Sequence, residues 1–439
     1  MKYALTTLGC KVNQCESAAM AQSLKEAGWV RAQRNEMADL CIINTCTVTR
    51  KASMQSRQSI RKAIRANPDA FIVVTGCYAQ TEPDIIKKIA GINYIIGNSD
   101  KHRIPEIIIS LLSSNKINRP PSPLLIHNDI SRSRSFKHMP ASACGNRTRP
   151  FLKIQDGCDD FCTYCIVPYA RGRSRSMPPE NVLKSIEQLK KAGYRETVLT
   201  GIHLGRYGLD LSPPTDFFGL LKHIHDARPI ERIRISSIEP CELSEEIIRL
   251  VTKSDIFCNH FHIPLQSGDD LVLKKMHRPY TSSFFRELII KIHQLNPDAA
   301  IGVDTLIGFP GETEAAFENT YTLIEKLPVA YLHVFPFSPR EGTPACRYTD
   351  QLHPQVIKAR CQKMRELGID KKTKFYSKFT GKSVEVLIEE KRDVKTGLLK
   401  GITSNYLTVL PDGTDDLKNT IAKVRIDKVN DSDSLLGKL

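Results

Sequence analysis

The chain has 439 residues, 41% of them apolar, with 63 Lys+Arg against 48 Asp+Glu and a net charge of +15. That length allows two to four domains with buried cores, and no uninterrupted apolar run is long enough to span a bilayer. A surplus of positive charge favours a polyanionic partner, and no basic amphipathic helix marks a membrane surface as that partner.

The N-terminus, "MKYALTTLGCK", carries only a short apolar run that leads into a strand–turn pattern, so no signal peptide and a cytoplasmic chain are expected. Residues 1–112 alternate short β-branched runs, "YALTTLG", "LCIINT" and "FIVVTG", with helical stretches such as "ESAAMAQSLKEAG" and "SMQSRQSIRKAIRA". "TEPDIIKKIAG" is predicted as a further helix with Thr81 as N-cap and Gly91 just past its end. Strands separated by helices pair in parallel, so an α/β, doubly wound parallel sheet is expected.

Residues 113–143 are rich in Ser, Pro, Arg and Asn without a sustained period and read as a basic linker. Around them, residues 101–175 hold 13 Lys+Arg against 5 Asp+Glu, about half of the whole surplus. Clustered charge of this kind suits a phosphate-rich substrate, although basic residues also serve simply to solubilise a surface.

From Pro150 the strand–helix rhythm returns. "FLKIQD", "TVLTG", "RIRISS", "FHIPL", "AAIGVDTLIGF" and "AYLHVFPF" read as strands, with helices between them and a last helix at about 354–376. Six such units predict a partial or full parallel barrel, whose functional loops lie at the C-terminal ends of its strands. Residues 377–439 change to short strands and turns, and predict a small all-β barrel of the OB-like kind.

Thirteen cysteines in a reducing compartment argue for metal ligation or catalysis rather than for disulfides. Cys158, Cys162 and Cys165 follow a C-x3-C-x2-C spacing directly after the first barrel strand. Three thiolates in one loop can hold three irons of a [4Fe–4S] cluster and leave the fourth iron open to a cofactor. Zinc would need a fourth ligand that the loop does not supply, and inert core cysteines would not crowd into a polar loop. Cys10, Cys46 and Cys77 each stand just past a predicted strand, about one strand–helix unit apart, so their thiols should converge on one sheet edge. Cys41, Cys241, Cys258, Cys346 and Cys361 read as core residues, Cys144 lies in the linker, and Cys15 lies in the first helix near Cys10.

Taken together, C-x3-C-x2-C, "LGCKVNQCES", "NTCTVT", "TGCYAQ", "LQSGDDLVLKKMHRPYT" and "GFPGETEAAF" make the chain resemble the radical S-adenosylmethionine (SAM) methylthiotransferases. The resemblance covers essentially the whole chain. "GCKVNQ" and "NTCTVT" look most like the branch that acts on N6-threonylcarbamoyladenosine at position 37 of tRNA. Departures are Cys15, where an aromatic residue is usual, and "SGDD", where "SGS" is common.

The resemblance implies a methylthiotransferase domain at 1–112, a radical SAM core of partial (βα)6 type at 144–376, and a TRAM-like barrel at 377–439. It further implies that Cys158, Cys162 and Cys165 hold one [4Fe–4S] cluster, which binds SAM, and that Cys10, Cys46 and Cys77 hold a second, auxiliary [4Fe–4S] cluster. Cleavage of SAM would then activate C2 of the adenine, and the second cluster would present the sulfur. Thr200 and Gly201, at the end of "TVLTG", are candidate SAM contacts, and an external electron donor is required. Arg171, Arg173 and Arg175 could bind RNA phosphate or the SAM carboxylate, or form a solvated basic edge; Gln266 and Asp304 could line the barrel mouth or be buried structural groups. Rival readings are methylthiolation of isopentenyladenosine in tRNA, methylthiolation of a ribosomal protein, and a metal-stabilised RNA-binding protein without catalysis.

Overall fold

A computed structural model describes residues 1–33, 36–113, 122–139, 147–431 and 433–439. The chain divides into two units. One comprises Met1–Cys144, Lys153–Met177 and Ser338–Cys346; the other comprises Gly145–Leu152, Pro178–Phe337 and Arg347–Leu439.

The first unit is built on β1 (Lys2–Thr7), α1 (Lys11–Glu26), β2 (Val30–Arg31), β3 (Leu40–Thr45), α2 (Arg50–Ala66), β4 (Phe71–Gly76), α3 (Cys77–Thr81), α4 (Pro83–Lys87), β5 (Tyr94–Ile96), α5 (Ile104–Ser113) and β6 (Leu124–Ile126). The strands form one six-stranded sheet in the order β2-β1-β3-β4-β5-β6, parallel throughout. Both faces are covered, which explains why β3 and β4 are apolar without alternation and buried at every position. Leu40, Ile42, Phe71 and Val73 pack on one face with Met20, Leu24 and Ile108; Cys41, Ile43, Ile72 and Val74 pack on the other with Ile60 and Tyr78. Within the Ser/Pro-rich stretch, the apolar triplet Leu124–Ile126 adds the edge strand β6.

Both boundaries of one helix differ from the sequence expectation: α4 ends at Lys87, four residues before Gly91, and its start is shifted too. Thr81 ends α3, with its hydroxyl donating to the Cys77 carbonyl, and α4 starts at Pro83. The Pro ring suits a first helical position, and that resets the boundary.

Lys153–Met177 adds the short antiparallel pair β8 (Gln155–Asp156) and β9 (Arg175–Ser176), with α6 (Val167–Arg171) between them. The chain reaches β8 through β7 (Phe151–Lys153).

In the second unit, β7 joins β10 (Glu196–Thr200) and β11 (Arg232–Ile235), while β12 (His260–Gln266), β13 (Ala300–Ile307) and β14 (Tyr331–Pro336) form a second parallel triplet. Parallel bridges Ile233–Phe257 and Ser237–His262 join β11 to the stretch leading through β12. These are the six strands read from the sequence. Helices α7 (Pro179–Lys191), α8 (Phe217–Ala227), α9 (Glu245–Lys253), α10 (Asp270–Lys275), α11 (Ser282–Leu295) and α12 (Glu314–Lys326) alternate with them, and α13 (Pro354–Ser377) follows.

The C-terminal strands β15 (Ser383–Ile388), β16 (Gly401–Thr403), β17 (Thr408–Pro411), β18 (Ile421–Asp431) and β19 (Ser434–Lys438) close into a barrel in the order β15-β16-β17-β19-β18. Strand β19, which sequence reasoning had not marked, pairs with both β17 and β18 and completes the closure. Phe375, Tyr376 and Phe379 pack against a barrel core that includes Val386, Ile388, Val409 and Val424. No helix among the described residues is long and apolar enough to cross a membrane.

Candidate functional site

Cys10, Cys46 and Cys77 follow β1, β3 and β4, which are neighbours in the parallel sheet. Adjacent parallel strands that end at the same edge bring their following residues together, and here the turns are unusually tight. Gly9 and Gly76, each preceding a cysteine, have φ of +97°. A Cβ on Gly9 would lie 2.9 Å from Cys46 Sγ, and one on Gly76 would lie 2.4 Å from the Thr45 carbonyl oxygen, so both approaches require glycine.

Cys46 and Cys77 are each 6% exposed, whereas Cys10 is exposed. Burial, followed by the neighbouring Cys77 thiol, pushes the Cys46 thiol up to about 11. The Cys46 peptide is anchored by Ser56, whose hydroxyl accepts from the Cys46 N–H at 3.2 Å and donates to its carbonyl at 2.9 Å. Asn98 lies beside Cys77, with its Nδ2 3.8 Å from the sulfur and 2.7 Å from the Ala170 carbonyl oxygen.

Cys158, Cys162 and Cys165 form a second group in the same unit. The Cys165 N–H donates to the Cys162 carbonyl at 2.9 Å, which closes the turn, and the Cys158 N–H donates to Gly172 O at 3.0 Å. Cys162 is buried, and its two companions are half-buried. Burial raises the Cys158 thiol most, and the nearby Asp160, Cys165 and Cys162 raise it further. The raised Cys46 and Cys158 thiols, each with cysteines beside it, are what a cationic metal centre would relieve by taking up negative charge. Each set offers three sulfur donors, and this chemistry suits an iron–sulfur cluster with one iron left open.

A buried charge network stands beside the first triad. Arg171, 2% exposed, donates to Glu16 Oε1 at 3.0 Å, to Asp156 Oδ1 at 2.8 Å and to Asn13 Oδ1 at 2.6 Å. Glu16 also accepts from Lys101 at 2.6 Å and from Lys153 at 3.0 Å. Burial opposes ionisation of Glu16, but Arg171, Lys101 and Lys153 outweigh it and hold the carboxyl well below its ordinary value. Asn13 then reaches the cysteine turns directly, with Nδ2 donating to Leu8 O at 2.7 Å and to Thr45 O at 3.0 Å.

This overturns the solvated basic edge for Arg171 and Arg175. Each side chain is at least nine-tenths buried and internally paired, with Arg175 donating to the Arg171 and Arg173 carbonyls at 2.8 Å. Arg173 alone of the three is exposed. Asn13, Glu16, Lys101, Lys153 and Asp156 were not singled out from the sequence. A signal existed: Asn13 and Glu16 stand three apart on the helix that Cys10 begins, and so share a face. Arg340, 6% exposed, is a further buried cation, donating to the Thr47 hydroxyl one residue after Cys46 at 2.6 Å and pairing with Glu82.

In the second unit, Thr200 is buried at the end of β10 and Gly201 follows it, partly exposed. Asp304 Oδ1 accepts from His262 Nε2 at 2.7 Å and from His333 Nδ1 at 3.0 Å. Gln266 ends β12 in a left-handed conformation, with φ of +65°. Cys41, Cys258 and Cys361 are buried as expected of core residues, Cys346 is half-buried, and Cys241 is exposed because it sits in a surface turn. Cys144 lies outside the described residues.

Two family descriptions match this chain: "Uncharacterized protein family UPF0004" over residues 2–97, and "Radical SAM superfamily" over residues 152–324. The fold is that of radical SAM enzymes. A radical SAM methyltransferase, TsrM from Kitasatospora setae, superimposes with a TM-score of 0.59 at 15% identity, covering 79% of this chain and 77% of its own.

Similarity in sequence goes further. Threonylcarbamoyladenosine tRNA methylthiotransferase MtaB of Bacillus subtilis is 42% identical, covering 96% of this chain and 93% of the relative. The protein of the same name from Aquifex aeolicus is 34% identical over 94% and 97%. A tRNA-2-methylthio-N(6)-dimethylallyladenosine synthase of Clostridium botulinum is 34% identical over 99% and 96%. The chain belongs to the radical SAM tRNA methylthiotransferases, a family whose radical SAM part implies SAM and a [4Fe–4S] cluster.

Proposed function

We propose that this enzyme inserts a methylthio group at C2 of N6-threonylcarbamoyladenosine 37 in tRNA, in the cytoplasm, with two [4Fe–4S] clusters and an external electron donor. The observation that carries the reading is that all six thiols lie in one unit, with Cys10 and Cys77 near enough to Cys46, and Cys162 and Cys165 near enough to Cys158, to act on its thiol. Similarity of 42% to a threonylcarbamoyladenosine enzyme, against 34% to a dimethylallyladenosine enzyme, supports the choice of substrate.

In this reading Cys158, Cys162 and Cys165 hold the cluster that binds SAM, with Thr200 and Gly201 as SAM contacts. Cys10, Cys46 and Cys77 hold the auxiliary cluster. When bound, the clusters supply the electron for SAM cleavage and the sulfur for transfer. The chain's own residues supply placement. Asn13 fixes the turns before Cys10 and Cys46, Ser56 clamps the Cys46 peptide, and Glu16 holds Arg171 against Asn13. The C-terminal barrel is read as a TRAM-like RNA-binding module.

The test is mass spectrometry of tRNA nucleosides from cells that lack their own tRNA methylthiotransferases and express this chain. Methylthiolated threonylcarbamoyladenosine is the expected product. Methylthiolated isopentenyladenosine would keep the chemistry and overturn the substrate. Neither product, from protein that carries both clusters, would turn the reading towards a ribosomal protein or a non-catalytic role.

A further inference from the structure

The three parallel strands β12, β13 and β14 carry large apolar residues on one face, including Phe261, Ile263, Ile301 and Val303, all fully or nearly buried. The alternate positions are His260 and His262, Gly302 and Asp304, and Tyr331, His333 and Phe335. A run of His, Asp and Tyr on the inner face of a barrel is unusual, since such interiors are ordinarily filled by branched apolar side chains.

The lower part of that face is closed. Arg234 donates to Glu196 at 2.9 Å and to the Thr403 and Ser404 carbonyls at 3.0 and 2.9 Å. Tyr406 lies over the Arg234 guanidinium at 5.0 Å and stacks on His260 at 4.6 Å, and His260 Nε2 lies 2.7 Å from the Tyr331 hydroxyl. The Tyr331 ring crosses beneath Gly302, where a Cβ would fall 2.0 Å from it. His262, Asp304 and His333 lie further along the strands, in the direction of their C-terminal ends, and form the next layer.

Exposure rises across that layer: the side chains of His262 and Asp304 are 13% and 17% exposed, and that of His333 is 48%. Asp304 occupies His333 Nδ1, and no hydrogen-bond partner for Nε2 is found among the described residues. Burial pushes the Asp304 carboxyl up, but the hydrogen bonds from His262 and His333 outweigh it and keep the group ionised. A divalent ion could use the same three side chains only by displacing both hydrogen bonds. An orienting carboxylate behind an imidazole leaves the far nitrogen to meet a ligand. Phe335, on the same face and 46% exposed, offers an aromatic surface beside it.

We propose that His333, as an imidazolium that donates from Nδ1 to Asp304, donates from Nε2 to the carboxylate of the N6-threonylcarbamoyl group and so selects that nucleoside over one with an uncharged isoprenoid substituent. The inference rests on the proposed function and adds its specificity determinant. A site built around a hydrogen bond to a polar group discriminates strongly, because its own polar atom is left unpaired when the wrong substrate enters.

The test uses the reconstituted full-length enzyme and two anticodon stem-loop RNAs, one with threonylcarbamoyladenosine 37 and one with its threonyl carboxylate as the methyl ester. For the unaltered enzyme the ester should raise KM about 10- to 100-fold with a smaller change in kcat. His333→Ala should raise KM for the acid by a similar factor and leave the ester unchanged, so that discrimination collapses. His333→Gln, which keeps a donor, should restore part of it, and unchanged iron content would exclude misfolding. Equal slowing of both RNAs by His333→Ala, or intact discrimination, would overturn the proposal. Equal use of acid and ester by the unaltered enzyme would overturn it alone, whereas failure to modify either RNA would overturn the proposed function with it.

Discussion

The buried carboxylate of Glu16 is shared by three cations: Lys101 at 2.6 Å, Lys153 at 3.0 Å and Arg171 at 3.0 Å. Glu16→Gln preserves shape and removes the charge, leaving Asp156 as the remaining carboxylate paired with Lys153 and Arg171. Removing one partner of a buried pair costs ~3–5 kcal/mol, because the survivors stay buried and uncompensated. The isosteric amide still accepts one hydrogen bond, so the lower end applies, and a loss of ~3 kcal/mol lowers the unfolding midpoint by roughly 6–12 °C. The only tryptophan, Trp29, is buried in the same unit, so its fluorescence follows the unfolding of that unit. The sign with pH is fixed. The folded carboxyl is held below its unfolded value, so its stabilisation is present above about pH 4.3 and is lost as pH falls through the folded value. The gap between the parent protein and the Glu16→Gln variant should therefore be full at pH 7 and narrow in acid. A variant within about 1 °C of the parent at pH 7, or a gap independent of pH, would refute the reasoning.

Four further outcomes follow from the same geometry. Cys162→Ala should abolish SAM cleavage, measured as 5′-deoxyadenosine release, and lower bound iron by about half; full cleavage would show the loop to be misassigned. Cys46→Ala should retain SAM cleavage and stop methylthio insertion, and any methylthiolated product would rule out the upstream triad as the sulfur site. Gly157→Ala should destabilise the first unit by more than ~2 kcal/mol, since φ is +80° and the new Cβ would sit 1.9 Å from the Arg173 carbonyl oxygen; thermal unfolding checks it. Arg171→Met should reduce iron uptake in reconstitution, because Asn13 loses the partner that steadies the turns around Cys10 and Cys46; iron content equal to the parent's would count against that role.

Chain-local chemistry was legible in the sequence. The tight C-x3-C-x2-C spacing, the runs of β-branched residues and the six strand–helix repeats each express a short-range rule, so β1, β3 and β4, the six parallel strands of the second unit and the metal-type loop could be read directly, whereas the short β2, β5 and β6 were not. The likeness in "LGCKVNQCES" and "NTCTVT" added the family, which the relatives bear out. Pairing at long range was not legible. Arg171 read as one of three alternating basic residues, for RNA phosphate, for the SAM carboxylate or for a solvated edge, and only the fold sets it against Glu16, 155 positions away, because burying a guanidinium demands a carboxylate and the chain alone does not say which. Strand β19 went unread because its closure depends on two partners, β17 and β18. His262, Asp304 and His333 come from three separate strands, far apart in the sequence. Parallel registry alone brings them within hydrogen-bonding reach, and that registry is a property of the packed barrel.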